Sequence, residues 1–505
     1  MFPIDCMYRG ALVAPDAIAV ETEAGDRALT HRELAGAVDA LAAYIQDRIP
    51  AAQSRIAVCG HNTVEHLIAI LAIYASGNTW VALNPRNARP ELDRLVLASR
   101  AGLIIADEDC LDRFDTSLAP VLVGASEGRA QGNLAAVIHA NLGRRPSARP
   151  ITLQDVQAIK FTGGSTGIPK GVMQSYRAGA TAIANLQFAY GYDRSEVNLV
   201  AAPVSHAAGV YVLPILAVGG RHILLRTPAA GAILDAFERR GVTRCFLPPT
   251  VIYNLLEDSS AAARSYPSLR AISYGAAPMP MPRIRHAQAV FGPRIDAAYG
   301  QVEAPQTIAL ATADELARDD LAGSVGRPGR MNRVSIRTAD GLPAGPGEIG
   351  EICVAGDLLM NGYLDAPDLT EQVLRDGWLS TGDLGFLDQG GRLFIRGRSK
   401  EMLISGGFNV YPVDVENALA SHPAVAECVV FGVSDEKWGE RVEAAVVLKP
   451  NLSASSEELI AAAKARVGSV QAPKFVHLVP SLPRNAVGKL VRREIAAALT
   501  GAPGS

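Results

Sequence analysis

Cysteine is scarce in this chain of 505 residues. The six present (Cys6, Cys59, Cys110, Cys245, Cys353 and Cys428) lie far apart, with no C-x-x-C pair and no His/Cys cluster at zinc spacing. That excludes a disulfide framework and a structural zinc site, and leaves buried free thiols in a reducing compartment. Net charge is nearly absent too: 48 Lys and Arg against 51 Asp and Glu leave −3, so no overall field recruits nucleic acid or an anionic membrane. Long apolar runs are missing. The longest, residues 67–75, falls far short of the ~20 residues that cross a bilayer, and the opening Met-Phe-Pro-Ile-Asp-Cys carries no basic region before an apolar run. The expectation is a cytoplasmic protein with no membrane span and no nucleic-acid partner.

What is present is the composition of a globular enzyme, 49% hydrophobic and 20% charged, in a chain too long for one core. From residue 17 to about 295, short apolar runs alternate with helical patterns, the signature of an α/β fold with parallel sheets and crossover helices. Strands are predicted at 55–59, 80–83, 103–106, 158–162, 198–201, 222–225, 244–247 and 271–274. Thr30-x-x-Glu33 reads as a capping box that opens a helix to about Gln46, and a second helix starts near Val64. Residues 126–150, rich in Gly, Arg, Ser and Pro, read as an exposed connection. Between 323 and 395 the texture changes to short strands punctuated by Gly and Pro, a small β-rich subdomain, and after 398 to a small α+β lobe. The predicted domains are 1–399, ending in the β-rich subdomain, and a small lobe at 400–505.

Chemistry concentrates in Phe161-Thr-Gly-Gly-Ser-Thr-Gly-Ile-Pro-Lys-Gly-Val-Met173. Glycines and hydroxyls in a loop after a strand expose backbone N–H groups to a polyphosphate, and Lys170 adds a point charge. The spacing is not that of a Walker A loop, because Pro169 precedes the lysine and Gly171 follows it where Ser or Thr would hold a metal ion. Tyr299-Gly-Gln-Val-Glu303, Gly377-Trp-Leu-Ser-Thr-Gly-Asp383, Arg396-Gly-Arg-Ser-Lys400, Ile404-Ser-Gly-Gly-Phe-Asn-Val-Tyr-Pro412 and Pro483-Arg-Asn-Ala-Val-Gly-Lys489 follow in order.

Together these segments resemble the ordered motifs of the adenylate-forming superfamily: acyl-CoA synthetases, luciferases and adenylation domains. Gly163 stands where that family usually has Ser, and Val302 where it usually has Thr. The resemblance is closest to acyl- or aryl-CoA ligases and implies ATP, Mg²⁺ and coenzyme A as cofactors, with a small carboxylic acid as partner, in a monomer or homodimer. It places Thr162, Gly163, Gly164, Ser165, Thr166, Gly167 and Lys170 at the phosphates. Gly275, Ala276, Ala277, Tyr299, Gly300, Gln301, Val302 and Ile395 fall around the nucleotide. Glu303 becomes the Mg²⁺ ligand, and Asp383 with Arg398 the ribose partners. Lys489 bridges the acid's carboxylate and the α-phosphate, where two anions must be held in reacting geometry. Lys400 is the hinge of the mobile lobe, and Ser405, Gly406, Gly407 and Phe408 belong to the channel of the thiol.

The acid pocket implied by the resemblance runs along His206, Ala207, Ala208, Gly209 and Tyr211, then Tyr274, Gly275 and Gly300. His206 lies beside the carboxylate, and Tyr211 with Tyr274 is expected to flank a ring. His206 is the only basic side chain in these segments, so a second substrate carboxylate lacks a partner there and a monocarboxylic acid, aromatic or fatty, is favoured. Asp435-Glu-Lys-Trp-Gly-Glu-Arg441 resembles the CoA-ligase members of the family more than its peptide-synthetase domains, which implies free coenzyme A as acceptor, although Val470-Gln471 stands where many relatives carry Tyr-Lys. A carrier-protein thiol or a nitrogen nucleophile is the alternative acceptor, and a non-catalytic nucleotide-binding module the alternative class.

Overall fold

The computed structural model describes residues 1–123, 133–162, 169–321, 323–484, 490 and 492–500. Its larger part is built on two twisted sheets. The seven-stranded sheet has a parallel centre of Arg55–Cys59, Thr79–Leu83, Leu103–Ala106, Val121–Val123 and Val156–Thr162, closed on one side by the antiparallel Lys170–Ser175 and Gly362–Tyr363. The nine-stranded sheet has Ile18–Thr22, Arg221–Leu224, Val197–Val200, Arg244–Leu247, Ala271–Tyr274 and Ile295–Tyr299 in parallel, with antiparallel edges. Strands buried on both faces must be apolar throughout, as Leu-Ile-Ile-Ala at Leu103–Ala106 is, with all four residues buried.

One apolar cluster joins the two sheets, with Ile56, Trp80 and Ala158 from one and Val200, Leu224, Phe246 and Ala298 from the other. Helix Val64–Ala75 is buried nearly all round, and helix His31–Arg48 starts on the Thr30/Glu33 capping box. Within 126–150, the stretch read as a connection, lies the helix Leu134–Asn141. Asn133 caps it, and Leu134 and Ile138, four apart on one face, are buried. The composition of its flanks hid a short helix that one apolar stripe suffices to dock.

A five-stranded antiparallel sheet follows (Asn332–Arg337, Gly350–Gly356, Trp378–Leu387, Leu374–Arg375 and Leu393–Arg398). The last lobe places Leu403–Ser405, Phe408–Val410, Val425–Asp435, Gly439–Leu448 and Phe475–Leu478 in one sheet against helices Pro412–Ala420 and Ser456–Gln471. Arg396 pairs with Asp414, and Arg283 donates to the Ala426 carbonyl, so the lobe rests on the larger part through polar contacts. No helix among the described residues is long and apolar enough to cross a membrane.

Candidate active site

Strands Val156–Thr162 and Lys170–Ser175 pair antiparallel with Thr162 opposite Lys170, so the loop between them leaves the sheet edge at these two residues. Gly163, Gly164, Ser165, Thr166 and Gly167 lie outside the described residues, as does Lys489. The Lys170 ammonium sits 5.2 Å from the centroid of the Tyr363 ring. The Tyr363 hydroxyl donates to Glu303 Oε1 at 2.8 Å. Burial, then the Glu303 charge, raises the Tyr363 pKa, which keeps the hydroxyl protonated as a donor. Lysine, tyrosine and glutamate thus form one line from the edge of the loop to the turn after Tyr299.

That turn is over-determined. A Cβ on Gly300 would stand 2.4 Å from the backbone N of Gln306, so only glycine fits. Gln174 Nε2 donates to the Val302 carbonyl at 2.8 Å, and Met360 N to the Glu303 carbonyl at 2.8 Å. The Glu303 carboxylate is therefore held by its backbone, and among the described residues no hydrogen bond reaches Oε2. A hard, half-buried carboxylate oxygen of this kind fits a Mg²⁺ ion.

A second carboxylate, distant in sequence, is brought to the same motif by folding. Asp383, 6% exposed, accepts from the Tyr299 hydroxyl at 2.6 Å and from Gln301 Nε2 at 2.7 Å, both on Oδ2, while Arg398 Nε stands 3.2 Å from Oδ1. Strand pairing fixes this, since Asp383 and Arg398 are cross-strand partners. Gln301 also donates to the Thr381 carbonyl, locking the amide in place. Ile395 is cross-strand to Gly385 and packs on the cluster that holds Tyr299.

His206 ends the loop after strand Val197–Val200. Asn62 shapes that loop, donating to the Val200, Ala202 and Leu225 carbonyls and accepting from Val204 N. Ser205 Oγ and His206 Nδ1 are 2.8 Å apart. The ring is exposed, yet the protein gathered round it, and then the charges of Lys160 and Arg86, lower its pKa to about 4, so it is neutral at pH 7.

Beyond His206, the short helix Ala207–Tyr211 carries Ala207, Ala208 and Gly209 to Tyr211, which stacks on Phe246 at 5.5 Å and 27° and accepts from Gln306 Nε2 at 3.3 Å. Gly275 abuts the same group, with room for no Cβ beneath the Ala298 carbonyl, and Ala276 follows at φ 67 ahead of Ala277. Tyr274 does not join them. It packs in the cluster on the opposite face of the nine-stranded sheet, while Ser273, one residue earlier, is register partner to Phe246. Side chains alternate along a strand, so Tyr211 and Tyr274 cannot flank one ring, and Phe246 takes the place expected of Tyr274.

In the last lobe, Lys400 is exposed in the short helix Ser399–Glu401. Ser405 is fully buried with an unpartnered hydroxyl. Gly406 N donates to the Trp438 carbonyl, Gly407 follows in the left-handed region, and Phe408 is 60% exposed. Lys474 Nζ donates to the carbonyls of Ser469, Val470 and Ala472 and lies 5.0 Å from the Trp438 ring, so it closes the end of helix Ser456–Gln471.

Sequence reasoning missed Tyr363, Phe246, Asn62 and Gln174. Gln174 follows the phosphate-loop motif directly, but the other three carry no local signal, since each reaches the site through long-range pairing.

The AMP-binding enzyme family model matches residues 8–364, and the AMP-binding enzyme C-terminal domain model residues 414–489. A feruloyl-CoA synthase of Amycolatopsis sp is 33% identical over 96% of this chain and 97% of its own length. A medium/long-chain-fatty-acid–CoA ligase of Mycobacterium tuberculosis is 40% identical over 68% of this chain, which spans 61% of that protein. The solved amide bond synthetase McbA of Marinactinospora thermotolerans superposes with TM-score 0.89 at 29% identity, covering 99% of this chain and 100% of the other. With a family model over most of its length and a relative at 33% identity end to end, the chain belongs to the AMP-binding enzyme family, as an adenylate-forming enzyme with acyl- and aryl-CoA ligases among its relatives.

Proposed function

We propose that this protein uses ATP and Mg²⁺ to convert a monocarboxylic acid with an aromatic or fatty body into an acyl-adenylate, releasing pyrophosphate, and then passes the acyl group to the thiol of coenzyme A. The observation that carries the reading is the pair of carboxylates tied to one turn. Asp383 is bound by Tyr299, Gln301 and Arg398, whereas Glu303 is turned toward Lys170 and Tyr363. An ionised, fully oriented carboxylate suits a ribose diol, and a carboxylate with a vacant oxygen beside a lysine suits a cation on polyphosphate. Mg²⁺ held by Glu303 would neutralise charge on the pyrophosphate leaving group. Neutral His206 lies beside the acid's carboxylate in this reading, and residues 1–399 and 400–505 act as two bodies joined at Lys400. Phe246 and Tyr211 set the apolar wall of the pocket.

An acid panel with pyrophosphate release as readout, with and without coenzyme A, tests the reading. Release with at least one aromatic or fatty acid, and coenzyme A-dependent AMP formation, are expected; no release with any acid would sink it. The second reading, transfer to an amine, is supported by the superposition on an amide bond synthetase. It has its own arm, with amines in place of coenzyme A and the amide scored by mass. Tyr363→Phe removes only the hydroxyl donor to Glu303. It is expected to raise the Mg²⁺ concentration for half-maximal rate by about tenfold, the loss of one hydrogen bond to a charged group, with the acid KM unchanged.

A further inference from the structure

We propose that Lys160 binds the reacting carboxylate of the acid substrate and positions it beside the phosphate loop. The inference rests on the acid-activation reading above and adds to it a residue outside the motif segments that carry the family resemblance.

Along strand Val156–Thr162, side chains at 158, 160 and 162 share one face. Lys160 lies opposite Ala82 on one neighbouring strand and Val172 on the other; Thr162 lies opposite Lys170, and Ala158 opposite Gln174. Gln174 reaches from this face to the Val302 carbonyl, so the face looks toward the turn that carries Glu303. Lys160 is therefore one pleat deeper than Thr162, roughly 6–7 Å along the strand from the start of the loop. Lys170, at the edge, is placed for phosphates, and Lys160 is placed for what lies behind them.

The ammonium of Lys160 is half-buried and 5.2 Å from the centroid of Trp80, and among the described residues no carboxylate pairs with it. The charge of Lys160 acts on His206, after strand Val197–Val200, as does that of Arg86, after strand Thr79–Leu83, and Lys170 lies one pleat along on the adjacent strand; all of these groups are basic. Next to Lys160 the Trp80 indole N–H is buried without an acceptor. A partly buried cation with no counter-ion among the described residues is costly, and a bound anion offsets that cost. The charge of Lys160 is felt at His206, so the two lie near each other, and in this proposal the carboxylate sits between them. The anion this enzyme must hold next to its phosphate loop is the nucleophilic carboxylate. Burial lowers the Lys160 pKa to about 8, which gives the contact a pH signature. The ammonium binds the carboxylate, and above the pKa the neutral amine does not.

The test measures pyrophosphate release against acid concentration, ATP concentration and pH for the wild type, Lys160→Met and Lys160→Arg. In the wild type kcat/KM for the acid should fall, by about tenfold per pH unit well above pH 8. Lys160→Met should raise the acid KM by about 10–100-fold and leave the ATP KM within about twofold. Lys160→Arg keeps its charge at all working pH, so it should retain acid binding within about tenfold and lose the alkaline limb above pH 8. An unchanged acid KM in Lys160→Met, an equal rise in the ATP KM, or an alkaline limb that survives in Lys160→Arg would overturn the proposal while leaving acid activation standing. Should Lys160→Met fail to fold in a thermal melt, the pH profile of Lys160→Arg decides alone. A wild type that activates no acid overturns both the proposal and the reading beneath it.

Discussion

Lys489→Ala is expected to slow acid-dependent pyrophosphate release by about 10²–10³-fold, while conversion of supplied acyl-adenylate to thioester stays within a few-fold of wild type. Two anions, carboxylate and α-phosphate, must be brought into contact, and a single amine between them offsets their repulsion only where water is excluded. The lysine follows Gly488 in a segment bounded by Arg484 and Leu490, which pair as an isolated antiparallel bridge, and the next helix begins at Arg492. Arg492 ion-pairs with Glu416 and with Glu401, the residue after Lys400. Helix Arg492–Thr500 is thus tied at its first residue to Glu401, next to Lys400, the residue proposed as the hinge. Single-turnover assays of the two half-reactions check the prediction, and equal loss in both would refute the role assigned to the lysine.

Glu303→Gln should lower the adenylation rate by about 10²-fold and shift the Mg²⁺ dependence to higher concentration, with part of the rate recovered at saturating metal. The substitution changes charge and little else. Gly300, the Gln174 bond to the Val302 carbonyl and the Met360 bond to the Glu303 carbonyl hold the turn from its backbone, and the Tyr363 hydroxyl can donate to an amide oxygen as it does to a carboxylate. Rates measured across a Mg²⁺ series decide it. A variant with the wild-type metal dependence would remove Glu303 from the metal site.

Strand boundaries in the large part were legible because buried parallel strands are short, apolar and bounded by turn residues. Those at 55–59, 103–106, 244–247 and 271–274 coincide with the strands found; 80–83 and 158–162 begin one and two residues late, and 198–201 and 222–225 are shifted by one. The Asp383–Arg398 pair was legible as two motif residues, and a hairpin brings them opposite each other. Tyr274 was misplaced for a reason of parity: on a strand packed on both faces, apolar side chains point both ways, and only register shows which face meets Tyr211. Lys160 was passed over because a lone lysine in the middle of a predicted strand carries no local signal of a site. Its missing counter-ion is a property of neighbours from other strands.

The sequence by itself determined the family, the α/β class and the residue types that handle a nucleotide, because glycines, hydroxyls and charges at fixed local spacing carry that chemistry wherever they fold. The tertiary structure alone decided which side chains share a face and, among the described residues, which carboxylate is saturated by donors, which keeps an oxygen free and where Lys160 stands without a counter-ion. Those properties come from the register of strands distant in sequence, and desolvation acts on whatever the register brings together.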